Sequence, residues 1–160
     1  MTTYVSREGV GTLLDSAHVV VVGAGIVGTA TAYYLAREGV DVTVVERSEV
    51  ASGSSGHCNG GVVVGAEPFS PLASQSNDLY KALARDLDCD FRYRRNGSYR
   101  LVETREDWDM MTEIVTRQRE KGLPVQMISG QELHAREPNM APDVYGAVEY
   151  PTDATLDPIR

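Results

Sequence analysis

The stretch that most constrains this chain runs from Val19 to Gly61. His18-Val19-Val20-Val21-Val22 is a short β-branched run, the pattern of a strand buried on both faces. Gly23-Ala24-Gly25-Ile26-Val27-Gly28 follows at once, and a helical stretch then extends to about Glu38. Gly39 stops that helix, and Val40–Val45 forms a second apolar run ending in Glu46. Strand, glycine turn, helix and strand in this order make a βαβ unit with a dinucleotide-binding fingerprint.

Each residue type has a chemical reason. Gly23 lets the chain turn tightly out of the first strand. Gly25 has no Cβ, so a pyrophosphate can approach the backbone, and Gly28 lets the helix lie close to the strands, with Ala32 keeping that face small. The unpaired N–H groups near Ile26 and Val27 point toward the phosphates, and the helix dipole favours their charge. Glu46 stands where a carboxylate accepts hydrogen bonds from a ribose diol, and it would repel a 2′-phosphate, which disfavours NADP.

A membrane span is the rival reading, because Val19–Ala36 contains no charged residue. That run only just reaches the ~18 residues a span needs, and glycines interrupt its middle. The rest of the composition is that of a globular chain: 160 residues, 42% hydrophobic and 24% charged. A net charge of −8 argues against nucleic acid or an anionic membrane as partner. Two cysteines, Cys58 and Cys89, make no disulfide framework, so a reducing, cytoplasmic location is expected. Met1–Ala17 carries Glu8 and Asp15 and no apolar core, and reads as a lead-in with a helical turn near Thr12–Ser16 and no targeting signal.

After Glu46, the run Arg47-Ser48-Glu49-Val50-Ala51-Ser52-Gly53-Ser54-Ser55-Gly56-His57-Cys58-Asn59-Gly60-Gly61 is too rich in Gly and Ser for a regular element. Beside a phosphate site such a loop supplies hydroxyls and backbone N–H groups to an anion; the plainer alternative is a surface linker.

With this loop the chain resembles the FAD-dependent oxidoreductases of the D-amino-acid oxidase family, which includes glycine oxidase, sarcosine- and dimethylglycine-oxidising enzymes and D-amino-acid dehydrogenases. The resemblance implies that FAD is the cofactor and that the loop follows the pyrophosphate to the isoalloxazine. Ser54 and Ser55 would contact phosphate, Asn59, Gly60 and Gly61 would lie near the flavin ring, and Arg47 would lie near the adenosine. Many members have one residue fewer between the Ser-Gly and the Asn, so His57 or Cys58 is extra here. In the dimethylglycine and sarcosine dehydrogenase branch, a Gly-Ser-Thr-Trp-His run bonds its histidine to the flavin 8α-methyl. Gly53-Ser54-Ser55-Gly56-His57 has the same glycine-to-histidine spacing but lacks the tryptophan. His57 therefore has two readings, a covalent anchor or a loop histidine bonded to phosphate or water.

Farther along, Pro68–Pro71 breaks the chain, and Ser74–Leu87 reads as a helix with Leu79, Ala82, Leu83 and Leu87 on one face. Phe91–Arg95 and Ser98–Val102 alternate around Asn96-Gly97, a two-residue hairpin signal; Arg92 and Arg94 share a face expected to be solvated or paired with acids. Thr104 or Arg105 begins a helix to Lys121 with Trp108, Met111, Ile114 and Val115 inward. Val125–Ile128 reads as a strand, and Ser129-Gly130-Gln131-Glu132 as a capping box opening a brief helix in which His134 has no metal-spaced partner.

Val144–Tyr150 is a strand leading into Pro151–Pro158, where the resemblance implies a flavin-domain helix with Asp157 as N-cap and Pro158 at its first position. The expected organisation is a lead-in over 1–18, a Rossmann-type FAD-binding part over 19–67, a small α+β substrate-domain portion over 68–143, and a return strand with the start of a helix over 144–160. Members of the family continue for more than this length again, so the chain is expected to be a fragment or to be completed by a partner chain or oligomer, and to be inactive alone. The implied reaction is oxidation of the C–N bond of a small amine or amino acid by hydride transfer to flavin, with no catalytic acid or base and no metal ligand assigned within these residues. An NAD-dependent dehydrogenase and a non-catalytic nucleotide-binding subunit are the alternatives.

Overall fold

A computed structural model describes residues 16–65 and 70–159. The lead-in up to residue 15 and the break at Pro68 lie outside the described residues. The chain divides into two compact units, one reaching Asn59 and including Ile159, the other spanning Gly60–Pro158. This division falls at 59/60, ahead of the expected 67/68 boundary.

In the first unit, β1 (Val19–Val22) and β2 (Val42–Val45) pair in parallel, with Val19 opposite Val42 and Val22 opposite Val45. Helix α1 (Ile26–Arg37) makes the crossover between them. Gly39, at φ +80°, ends the helix, and its N–H bonds to the Ala36 carbonyl at 3.0 Å. Parallel pairing requires such a crossover, and the small Ala32 buried on α1 allows close approach. The expectation that β1 is buried on both faces is corrected. Val19 and Val21 are half-buried, whereas Val20 and Val22 are 54% and 84% exposed. The unit's single described helix can cover only one face of the pair.

The second unit is built on a three-stranded antiparallel sheet. β6 (Gly146–Tyr150) lies in the middle, flanked by β4 (Ser98–Val102) and β5 (Gln126–Ser129). Helix α3 (Arg105–Glu120) starts at Thr104, whose side chain accepts the Asp107 N–H, and presents Met111 and Val115 to the core. There they meet Val64, Val102, Leu123, Val125, Val148 and Tyr150, with Trp108 and Ile114 packed alongside. In a second cluster, Leu133 of α4 (Gly130–Arg136) packs with Ile128 and Ala147. Ser129 caps α4 by accepting the Glu132 N–H at 3.2 Å, while the Glu132 carboxylate turns instead to Arg136 at 2.6 Å. The capping box is therefore half made. β6 was expected to return to the flavin domain, yet it is the central strand of this unit's sheet.

Three further expectations are corrected here. Helix α2 (Ser70–Asp86) begins earlier than Ser74, because Pro71 is tolerated in a first turn where its missing N–H has no helical acceptor. Its expected apolar face is half-solvated, with Leu79 and Leu87 48% and 47% exposed, and its most buried side chain is Asn77. The hairpin at Asn96-Gly97 does not form. Arg94 exchanges two 2.8 Å backbone bonds with Thr155, and Asp157 N–H bonds the Phe91 carbonyl. β4 pairs with β6 instead, because residues 91–95 find partners near the far end of the unit. Arg92 and Arg94 are exposed as expected, and Arg95 pairs with Asp78 at 2.8 Å. Finally, Ala154–Thr155 forms a short strand, β7, antiparallel to β3 (Gly61–Val62).

Candidate functional site

The glycine turn after β1 is held by both of its neighbours. Gly23, at φ +100°, donates its N–H to the Val45 carbonyl at 2.7 Å, which ties the turn to the end of β2. A Cβ on Gly28 would lie 2.0 Å from the Gly23 carbonyl oxygen, so the first turn of α1 sits directly against the loop. Gly25 is the N-cap and offers no side-chain bond to the helix. That leaves the first N–H groups of α1 to partners from elsewhere.

One such partner is Ser55. Its Oγ accepts the Ile26 N–H at 2.9 Å, from 29 residues away, and a Cβ on Gly25 would lie 3.0 Å from the same oxygen. The open space at Gly25 thus admits a loop hydroxyl to the positive end of the helix, the place expected for a phosphate oxygen. Val27, next in line, is 78% exposed.

Glu46 closes the other side. One carboxylate oxygen accepts the Ala24 N–H at 2.8 Å, and the other accepts the Ser48 N–H at 3.0 Å. The Ala24 bond first, then the Ser48 bond, hold its pKa below the ordinary glutamate value. A carboxylate has about four acceptor positions. Two backbone donors leave it able to accept further hydroxyls.

The Ser/Gly loop is a succession of turns packed back onto the glycine turn. Ala51 donates its N–H to the Ala24 carbonyl at 3.0 Å, and accepts from the Gly56 N–H at 2.9 Å. To do both it adopts φ +59°, a left-handed conformation that costs a residue with a Cβ about 1–2 kcal/mol. Between loop, turn and β2 lies a cleft of ≈ 400 Å³ lined by Gly25, Glu46, Arg47, Ser48, Ala51, Ser52, Gly53, Ser54 and Ser55. Sequence reasoning missed Ser48, Ala51, Ser52 and Gly53. The loop's composition signalled the serines, but nothing in the residue type marks Ala51 as the anchor.

The structure brings Gly25, Glu46, Arg47, Ser54 and Ser55 to one cleft and places Gly23, Ile26, Val27 and Gly28 in the turn and helix beside it. His57 is exposed and does not line the cleft; its Nδ1 donates to the Gly53 carbonyl at 2.8 Å, which leaves Nε2 as the acceptor in the neutral ring. Asn59 ends the first unit, and Gly60 and Gly61 belong to the second, where Gly61 opens β3. Among the described residues no cluster of His, Cys, Asp and Glu suits a metal ion, and His134 is half-buried on α4.

These residues fit the adenosine diphosphate end of FAD: serine hydroxyls at the start of α1 for the pyrophosphate, and an ionised carboxylate for the ribose. No helix among the described residues is long and apolar enough to cross a membrane.

Comparison with known proteins agrees with this geometry. The chain is 32% identical over 145 residues to the mitochondrial pyruvate dehydrogenase phosphatase regulatory subunit of Mus musculus, covering 88% of this chain and 16% of that protein. It is also 32% identical over 150 residues to glycine oxidase of Geobacillus kaustophilus, covering 86% of this chain and 39% of the enzyme. The structure of L-amino acid deaminase from Proteus myxofaciens in complex with anthranilate superposes with a TM-score of 0.85 at 25% identity, over 99% of this chain and 37% of that one. The chain therefore spans well under half the length of each of these proteins. Residues 18–160 match the family described as FAD dependent oxidoreductase, DAO. With strand, glycine turn, acid and serine loop in place, the chain belongs to the DAO family of FAD-dependent oxidoreductases.

Proposed function

We propose that this chain supplies the nucleotide end of an FAD site in an enzyme that oxidises the C–N bond of an amine or amino acid. The observation that carries this reading is the convergence of the Glu46 carboxylate, the Ser55 hydroxyl and the start of α1 on one cleft. Glu46 accepts the ribose hydroxyls; the Val27 N–H with Ser54 and Ser55, the latter seated on the Ile26 N–H, holds the pyrophosphate; Arg47 lies toward the adenosine. His57 and Asn59, later in the same loop, are assigned to the cofactor as well. Bound FAD supplies the hydride acceptor. The residues of this chain bind and orient it, and none of them is assigned as acid or base. Glycine oxidase and L-amino acid deaminase, both named for C–N chemistry, support the substrate class. The exposed thiols of Cys58 and Cys89 support a reducing, cytoplasmic location.

A second reading has the mouse relative's name behind it: a flavin-binding regulatory subunit that acts through a partner chain. One experiment separates the readings. Protein loaded with FAD, together with the chain that completes its flavin site, is mixed anaerobically with glycine, sarcosine, D- and L-amino acids, and glycerol 3-phosphate as a control; these 160 residues alone are expected to turn over none of them. Bleaching of the flavin by an amine is the expected result. Bleaching by glycerol 3-phosphate alone would refute the substrate class, a flavin that no donor bleaches would favour the subunit, and NAD uptake without flavin would remove FAD.

A further inference from the structure

The loop after β2 holds one residue in a conformation that its side chain opposes. Ala51 stands at φ +59°, where a residue with a Cβ is uncommon and persists only when its surroundings impose it. Its methyl group has no polar atom to stabilise the turn locally, as Asn or Asp would. The backbone bonds of Ala51 therefore impose the conformation, and their partners show what the strain is for.

Those bonds run in two directions. The Ala51 N–H reaches out of the loop to the Ala24 carbonyl at 3.0 Å, and the Ala51 carbonyl turns back into the loop to accept the Gly56 N–H at 2.9 Å. The first bond fastens the loop to the glycine turn. The second closes residues 51–56 into one compact turn, and only a residue as small as Gly56 permits it, because a Cβ there would lie 2.5 Å from the Ala51 carbonyl oxygen. Ser55 comes immediately before that closure, and its Oγ accepts the Ile26 N–H at 2.9 Å.

Ala24 and Ile26 flank Gly25, so the loop holds the N-cap of α1 from both sides. Ala24 is itself fixed at both backbone groups, its N–H on Glu46 at 2.8 Å and its carbonyl on Ala51. All of these residues lie in the first unit. The Ile26 bond also decides what Ser55 can offer. An Oγ that accepts the helix N–H keeps its own hydrogen to donate, and the positive end of α1 polarises that donor. Ser55 lines the cleft, where an anion would meet the hydroxyl.

We infer that Ala51 is a positioning residue for the pyrophosphate: its left-handed backbone seats Ser55 on the Ile26 N–H, which leaves the Ser55 hydroxyl as a donor to phosphate. Ala51 acts through Ser55 and not by a contact of its own with the cofactor. This deepens the FAD reading above and holds only if the cleft is the pyrophosphate site.

The test compares Ala51→Pro, Ala51→Gly, Gly56→Ala and Ser55→Ala, each in the presence of the chain that completes the flavin site, and adds the double variant Ala51→Pro/Ser55→Ala. Proline removes the N–H and cannot adopt φ +59°, whereas glycine keeps both bonds and loses the strain. A Cβ at Gly56 breaks the same closure from its other end. Two properties are read, and neither requires turnover: hydrogen exchange of the amides at 26 and 56 without FAD, and FAD affinity by calorimetric titration. Ala51→Pro and Gly56→Ala should each speed exchange at both amides about tenfold and weaken FAD binding about tenfold. Ala51→Gly should stay within about threefold of the parent in both. Ser55→Ala should weaken FAD by the same factor as Ala51→Pro, and the double variant should bind less than about threefold more weakly than Ser55→Ala, because both act through one bond. Losses that multiply in the double variant would reduce Ala51 to a structural role and overturn the assignment. So would unchanged exchange or affinity in the single variants, or an Ala51→Gly protein as weak as Ala51→Pro. Should Ala51→Pro prevent folding, Gly56→Ala replaces it in the pairing with Ser55→Ala and is judged by the same outcomes. A parent protein that binds no FAD defeats the reading of the cleft itself, an outcome distinct from FAD bound with an affinity indifferent to Ala51.

Discussion

Gly28→Ala isolates the role of close packing between helix and glycine turn. The new Cβ would stand 2.0 Å from the Gly23 carbonyl oxygen, 3.1 Å from its carbon and 3.3 Å from the Val21 Cγ1. Ordinary contact begins near 3.4 Å, so α1 must retreat from the turn by about 1.4 Å, and the obstacle is backbone rather than a flexible side chain. In a helix interior alanine is favoured over glycine by about 1 kcal/mol. Overpacking costs roughly 1–3 kcal/mol, and a backbone obstacle places this case at the upper end. The net loss is then about 1–2 kcal/mol, a fall in melting temperature of roughly 2–8 °C for a protein of this size. The same retreat carries the Ile26 and Val27 N–H groups away from the cleft, so FAD affinity must fall too. Gly39→Ala is the control. It meets nothing within 4 Å but stands at φ +80°, so it costs about 1–2 kcal/mol through backbone strain alone and leaves FAD affinity intact. Thermal melts paired with FAD titration separate the two. A Gly28→Ala protein with parental melting and affinity, or a Gly39→Ala protein equally weak for FAD, would refute the packing argument.

Glu46→Ala removes the acceptor shared by Ala24 and Ser48, and calorimetric titration should show FAD binding weakened roughly tenfold. Because the folded-state pKa of Glu46 is lowered, its contribution to stability is present above the ordinary value of 4.5 and lost as pH falls through the lower folded value. The difference in melting temperature between parent and Glu46→Gln should therefore shrink toward zero in acid. Leu133→Ala, at a fully buried position on the inner face of α4, should cost about 2–5 kcal/mol in urea unfolding. His57 Nδ1 donates within its own loop to the Gly53 carbonyl, so acid precipitation should leave the flavin in the supernatant. Yellow colour that stays in the pellet and disappears in His57→Ala would establish the covalent alternative instead.

The first unit was legible because its signals are local and mutually consistent. A β-branched run, three glycines at fixed spacing and an acid at the end of the next strand leave little choice of structure. The cleft residues Ser54 and Ser55 followed from the family resemblance. Ala51 did not, because its role is a backbone conformation that alanine ordinarily avoids. The second unit misled where pairing is distant. Asn96-Gly97 is a sound turn signal, and Gly97 does adopt φ +76°, but its N–H bonds Asp153 rather than closing a hairpin. Asn77, Gln118 and Asp153 carry no apolar periodicity, so a search for hydrophobic stripes passes over the groups that fix this core. The apolar stripe of α3 was found for the converse reason: Met111 and Val115 follow helical spacing and are buried.

The pairings that replace the expected hairpin also set an order of assembly. β1 and β2 are joined by one short crossover, so their contacts close a small loop and carry a small entropic penalty. By contrast, Ser98 pairs with Tyr150, Arg94 with Thr155, and Gly61 with Thr155. None of these can form on the ribosome until the residues near 150 have cleared the exit tunnel. The nucleotide-binding unit can therefore mature during synthesis while the second unit waits, with α3 and its apolar stripe already made but uncovered. That interval is when this chain is most exposed to aggregation or most dependent on a chaperone.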